Sequence, residues 1–149
     1  MPMSLRWQLT IASDPHNLPF IAQFVRDAAR AAGLHEDAIF AIELACDEAC
    51  SNVIEHAYRR MDGPLHLTCS VHQADFVIEI QDQGQPFDPT SVRSPKRKRR
   101  PTDLPVGGLG IHLMRQLMDV VDYRFSSETG NHLTMAKRNV VPWPAPGET

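Results

Sequence analysis

Leu65-His66-Leu67-Thr68-Cys69-Ser70-Val71-His72 alternates apolar and polar residues without a break. A strand turns successive side chains to opposite faces, so Leu65, Leu67, Cys69 and Val71 share one face and His66, Thr68, Ser70 and His72 the other. After Gln73-Ala74 the same period resumes at Phe76, Ile78 and Ile80. Two such runs joined by a tight turn predict an antiparallel hairpin with one buried face.

Upstream, the period changes to that of a helix. Ile39, Ile42, Cys46, Ala49 and Val53 form an apolar stripe in a helix expected from about Glu36 to Arg59, which Asp62-Gly63-Pro64 ends with turn chemistry. A first helix is expected over about 16–32, built on Phe20, Ile21, Phe24, Val25, Ala28 and Ala32, with Asp14 as its cap and Gly33 as its stop. Before it, Trp7, Leu9 and Ile11 alternate with polar neighbours and predict a half-buried strand.

Downstream, regularity stops from Gln83 to about Pro105, a stretch holding five prolines. A loop of that length inside a compact domain is usually a lid or binding loop. Order resumes at Gly107-Gly108-Leu109-Gly110, which opens a helix using Ile111, Met114, Leu117 and Met118. Tyr123 and Phe125 then lead into a hairpin expected around Gly130-Asn131, and Leu133 and Met135 close the last strand; the Pro-rich tail from Pro142 should fray. Antiparallel strands mixed with three helices predict an α+β two-layer sandwich with the helices on one face, and exclude regular βαβ alternation.

The chain has 149 residues, 42% hydrophobic and 22% charged, which suits one folded domain spanning 1–149, with a core of about 5–138 and a lid of about 86–106. No apolar run approaches the length of a membrane span and no signal-peptide core follows Met1, so a cytoplasmic protein with no membrane contact is expected. Three cysteines fit a reducing compartment. The net charge of −3 becomes −8 once Lys96-Arg97-Lys98-Arg99-Arg100 is set aside. An acidic body with one basic loop argues against direct nucleic-acid binding and for a loop meeting a small anion or an acidic partner, a plain solvated loop being the alternative.

Three places carry polar chemistry. Glu48 and Asn52, four residues apart, project from one face of the second helix, with His56 a turn further on. That pattern fits a solvated face, or a carboxamide oxygen for a hard cation beside a proton-accepting carboxylate. Asp82-Gln83-Gly84 leaves the end of a strand, as a simple turn or as an acceptor for a ligand amine with close backbone approach at Gly84. Gly107-Gly108-Leu109-Gly110 is a glycine-rich helix start, able to present amides to an anion but lacking the Lys-Ser/Thr of a P-loop. Cys46 and Cys50 read as small buried packing residues rather than metal ligands.

The order and spacing of these three places, with Glu43 to Asn52, His56-Ala57-Tyr58, Asp82-Gln83-Gly84 with Pro86-Phe87-Asp88-Pro89, and Gly107 to Ile111 with Met118-Asp119, resembles the GHKL ATP-binding family with its Bergerat fold. Within it the likeness is to the anti-sigma-factor serine/threonine protein kinases of the RsbW and SpoIIAB type. The resemblance implies a mixed, mostly antiparallel sheet holding Mg·ATP between helices, sheet and lid. It implies Glu48 as general base, Asn52 as the Mg²⁺ ligand, Asp82 as acceptor of the adenine amine, and Gly84 packed on the base. Gly107, Gly108, Leu109 and Gly110 are implied at the phosphates, and His56 in the nucleotide site. The implied substrate is a serine or threonine of a STAS-domain anti-sigma antagonist, the implied second partner a sigma factor or related regulator, and the implied assembly a homodimer to which Trp7 contributes. Pro86 stands where many relatives have a second glycine, and Asn131 where they often have a threonine, so that threonine's role is not carried over. A non-catalytic nucleotide-sensing anti-sigma module is the alternative, less favoured because it needs no base. The ATP domain of a sensor histidine kinase ranks third, since no helical hairpin with a phosphoacceptor histidine precedes the first strand.

Overall fold

The computed structural model describes residues 5–57, 63–86 and 108–142. Within them β1 (Arg6–Ala12) is followed by a 3-10 turn (Pro15–Asn17), α1 (Leu18–Ala31) and α2 (Glu36–Asn52), which runs on into a π-helical turn (Val53–Ala57). Then come β2 (Pro64–His72), β3 (Asp75–Asp82), α3 (Gly108–Leu117), β4 (Val120–Ser126) and β5 (Gly130–Lys137). The expected lid at 86–106 and the Pro-rich tail fall almost entirely outside the described residues.

Local chemistry accounts for the boundaries. Asp14 caps the 3-10 turn by accepting from the His16 amide at 2.9 Å. At the other end of α1, Gly33 adopts φ +88°, its N–H reaches the Arg30 carbonyl, and the Leu34 N–H reaches back to Ala29. That pair of bonds is a Schellman stop, and buried Leu34 over buried Ala29 supplies its usual apolar contact. The reversal sends α2 back alongside α1, where Arg26 clamps Glu43 through two hydrogen bonds, one of them Nε to Oε2 at 3.1 Å.

The five strands form one sheet in the order β1-β2-β3-β5-β4, with every described pairing antiparallel. The parallel component implied by a mixed sheet is therefore not found among these strands. Hairpins join β2 to β3 and β4 to β5, and β5 inserts between β3 and β4, so antiparallel bonding reaches the edge.

Cross-strand partners share a face. One row reads Leu9, Leu67, Ile80, Leu133 and Tyr123; the row beyond it, toward the end of β3, reads Ile11, Leu65, Asp82, Asn131 and Phe125. This face packs under the helices. Leu65, Leu67, Cys69, Phe76, Ile78, Ile80 and Met135 are buried there with Ile21 and Val25 of α1, Ile39, Ile42, Cys46 and Ala49 of α2, and Met114 of α3. Each large aliphatic side chain so buried contributes roughly 1.5–3 kcal/mol. His66 and His72 take the other parity, as expected, and His132 shares it; they bond to Thr10, Ser70 and Thr129.

Two expectations are corrected. Phe20, counted in the stripe of α1, is 64% exposed, because the buried line runs through Ile21, Val25 and Ala28 and Phe20 falls beside it. The last hairpin turns at Ser127-Glu128-Thr129, not at Gly130-Asn131: Ser126 pairs with Gly130, which already begins β5. A three-residue loop needs a left-handed residue at its end, and Gly130 provides it at φ +86°.

Candidate functional site

The buried stripe of α2 passes through Ala45, Cys46, Ala49 and Val53, leaving Glu48 and Asn52 at its half-buried margin on consecutive turns. Burial pushes the Glu48 carboxyl above the ordinary glutamate range, and the neighbouring charge of Asp47 pushes it further. Asp47 is itself raised, first by burial and then by Glu43. A carboxylate so tuned is a better proton acceptor near neutrality than a solvated one. Asn52 is the last α-helical residue before the π-helical turn, where the wider coil shifts the ladder of backbone bonds. Such turns recur at functional sites. His56 belongs to this turn, but its side chain lies outside the description.

α2 also packs against α3, whose first residue is Gly108. The N-terminal turn of α3 with Gly108, Leu109 and Gly110 therefore belongs to the same helical layer as Glu48 and Asn52. Gly107 lies outside the described residues.

Asp82 ends β3 on the parity of Ile78 and Ile80, so it faces that helical layer, and only 2% of it is exposed. Its Oδ1 accepts from the Gly84 amide at 2.9 Å, an Asx turn over Gln83. The same Oδ1 accepts from Asn131 Nδ2 at 2.8 Å. Burial raises the Asp82 carboxyl above the usual aspartate range, opposed by the donors from Asn131 and Gly84. The simple-turn reading and the ligand-acceptor reading are thus compatible: one oxygen makes the turn, and the other takes no hydrogen bond among the described residues.

Sequence reasoning missed the support around Asp82. Asn131 is 3% exposed, and its amide also donates to the carbonyls of Gln85 at 3.0 Å and Gly84 at 3.3 Å. The Tyr123 hydroxyl donates to Asn131 Oδ1. Gln81 and Gln83 both donate to the Thr129 carbonyl, at 2.8 and 2.9 Å, tying the β4–β5 loop to the end of β3. Only the register of β5 on β3 could have revealed these contacts.

Asn52, Glu48 and Asp82 thus suit a metal–nucleotide: a neutral oxygen donor for a hard cation, a raised carboxylate, and a buried acceptor for an amine. Mg²⁺ bound with a nucleotide takes few protein ligands, so one carboxamide is a sufficient share. On the other face of the sheet, a depression of about 840 Å³ lined by Glu79, Asp122, Arg124, His132 and Thr134 shares no residue with this set. Cys46 and Cys50 are buried with their sulfurs 3.9 Å apart, and burial pushes the Cys69 thiol upward. They are packing residues, as expected.

A family profile described as a histidine kinase-like ATPase domain matches residues 11–137. Over 101 residues the chain is 33% identical to the serine/threonine-protein kinase BtrW of Bordetella bronchiseptica, covering 67% of this chain and 70% of that protein. Over 134 residues it is 32% identical to the serine-protein kinase RsbW of Halalkalibacterium halodurans, covering 87% and 81%. The fold is similar to a crystal structure of the RsbU and RsbW domains of a Mycobacterium tuberculosis protein, with a TM-score of 0.63 at 15% identity. That likeness covers 89% of this chain, which spans about a third (32%) of the longer one.

Proposed function

We propose a protein-phosphorylating function for this chain, which belongs to the histidine kinase-like ATPase domain family: transfer of phosphate from ATP to a serine or threonine of a partner protein. The observation that carries it is the pairing, on consecutive turns of α2, of a half-buried carboxylate raised by burial with a carboxamide, Glu48 and Asn52. A domain that only bound nucleotide would have no use for the first. The names of the BtrW and RsbW relatives support the same reading.

Phosphoryl transfer needs alignment and charge neutralisation more than covalent help. Mg·ATP supplies the phosphoryl group and much of the neutralising charge. Asp82 accepts the adenine amine and Gly84 packs on the base, which sets the nucleotide's register. Asn52 gives its oxygen to the metal. In this reading Gly108 to Gly110, at the start of α3, would offer amides to the phosphates, with Gly107 and His56 as further nucleotide-binding residues. Glu48 takes the proton of the incoming hydroxyl as that oxygen bonds to the γ-phosphorus and the bond to the β,γ-bridging oxygen breaks, releasing ADP.

The substrate in this reading is a STAS-domain anti-sigma antagonist, and the second partner a sigma factor or related regulator that the same protein sequesters in a partner-switching circuit. A homodimer joined through a sheet edge, with half-buried Trp7 on edge strand β1, and a cytoplasmic location complete it. No helix among the described residues is long and apolar enough to cross a membrane.

The test is transfer of labelled γ-phosphate to STAS-domain proteins encoded beside this one. Label on a serine or threonine, lost in Glu48→Gln, is the expected result. ADP binding with no transfer to any of them would leave a nucleotide-sensing binding module instead.

A further inference from the structure

Asn131 was set aside in the sequence because it stands where relatives often have a threonine, yet it is the hub of the polar contacts around Asp82. An amide offers two N–H donors and one oxygen acceptor, and here each has a partner. Nδ2 is shared among Asp82 Oδ1, the Gln85 carbonyl and the Gly84 carbonyl. Oδ1 receives the Tyr123 hydroxyl. The three acceptors around Nδ2 decide which way the amide points, because a flipped Asn131 would aim its oxygen at three other oxygens; the Tyr123 hydroxyl, donating to Oδ1, anchors the amide in that orientation. The oriented amide, with the Gly84 N–H, occupies Asp82 Oδ1 twice. The carboxylate cannot rotate without breaking both bonds, which leaves the other oxygen, on a residue whose strand parity faces the helical layer, for a ligand.

We propose that Asn131, anchored by Tyr123, is a positioning residue that gives the site its preference for a 6-aminopurine by holding Asp82 Oδ2 where the exocyclic amine arrives. The inference rests on the adenine contact of the proposed function and deepens it. A second consequence concerns the turn after β3. By taking the Gly84 and Gln85 carbonyls as well, the same amide keeps that backbone in the shape a purine would pack against.

The experiment compares binding of ADP with binding of purine riboside 5′-diphosphate, which lacks only the 6-amine, measured by calorimetry on the full chain with Mg²⁺ present. Wild type should favour ADP by about tenfold, the scale of one hydrogen bond to a charged group. In Asn131→Leu that preference should fall toward unity, with most of the loss on the ADP side, and Asp82→Asn should do the same. Tyr123→Phe, which deletes one hydroxyl and leaves the packing ring, should lose part of the preference and serves if Asn131→Leu does not fold. Asn131 and Tyr123 variants that weaken both nucleotides equally, or neither, overturn the inference while Asp82→Asn still upholds the adenine contact. A wild type with no preference for ADP removes that contact, and the inference with it.

Discussion

Gly130 lies so close to Asp82 that a β-carbon on it would stand 2.1 Å from the Asp82 carbonyl oxygen. The glycine serves two needs at once, the left-handed residue that closes the β4–β5 loop and the gap through which β5 approaches the end of β3. Gly130→Ala should cost about 2–4 kcal/mol, adding left-handed strain to an overlap with backbone. Because Asn131 follows directly, ADP affinity should fall as well. Chemical denaturation with and without ADP checks both; wild-type stability in the variant would contradict the close approach.

Asp82→Asn separates function from stability. A carboxyl raised by burial favours its protonated form in the folded state, so the folded protein binds more protons than the unfolded chain. Stability therefore falls as pH rises from the unfolded value of about 4 through the folded one. At pH 7 the ionised Asp82 is a liability, and the uncharged amide should leave the melting temperature unchanged or higher while ADP binding weakens about tenfold. The advantage of the variant should shrink as pH is lowered toward 4, and a variant markedly less stable than wild type at pH 7 would contradict the account.

Glu48→Gln should lower phosphoryl transfer by about 10²–10⁴, the usual worth of a general base, with ADP affinity within about threefold of wild type. Since burial and Asp47 raise the Glu48 carboxyl, the acid limb of kcat should lie above the ordinary glutamate value. Removing the second influence in Asp47→Asn should move that limb downward. Single-turnover rates across pH read both effects.

Asn52→Ala should weaken nucleotide binding in Mg²⁺ and leave it nearly unchanged in EDTA, because the carboxamide acts through the metal. A loss of about tenfold in Mg²⁺ corresponds to one ligand. Equal losses with and without the metal would place Asn52 against the nucleotide rather than the ion.

Much of the molecule was written in local pattern. The alternation in Leu65–His72 and Phe76–Ile80 is what the β2–β3 register uses, since a period of two has only one way to put its apolar members on the core side. Gly33 ends α1 because the chain must enter a left-handed conformation there, a demand that belongs to one residue and is visible in it. Glu48 and Asn52 were legible as a pair for the same reason, because helical spacing alone puts them on one face.

What only the tertiary structure decided lies between residues far apart in the chain. Asn131 meets Asp82 across 49 positions, and Tyr123 anchors Asn131 from a neighbouring strand, through the order in which β5 enters between β3 and β4. The π-helical turn after Asn52 and the displaced hairpin at Ser127-Glu128-Thr129 likewise had no local pattern to announce them. Periodicity says which face a side chain takes; only strand order and register say which side chain from elsewhere will be waiting on that face.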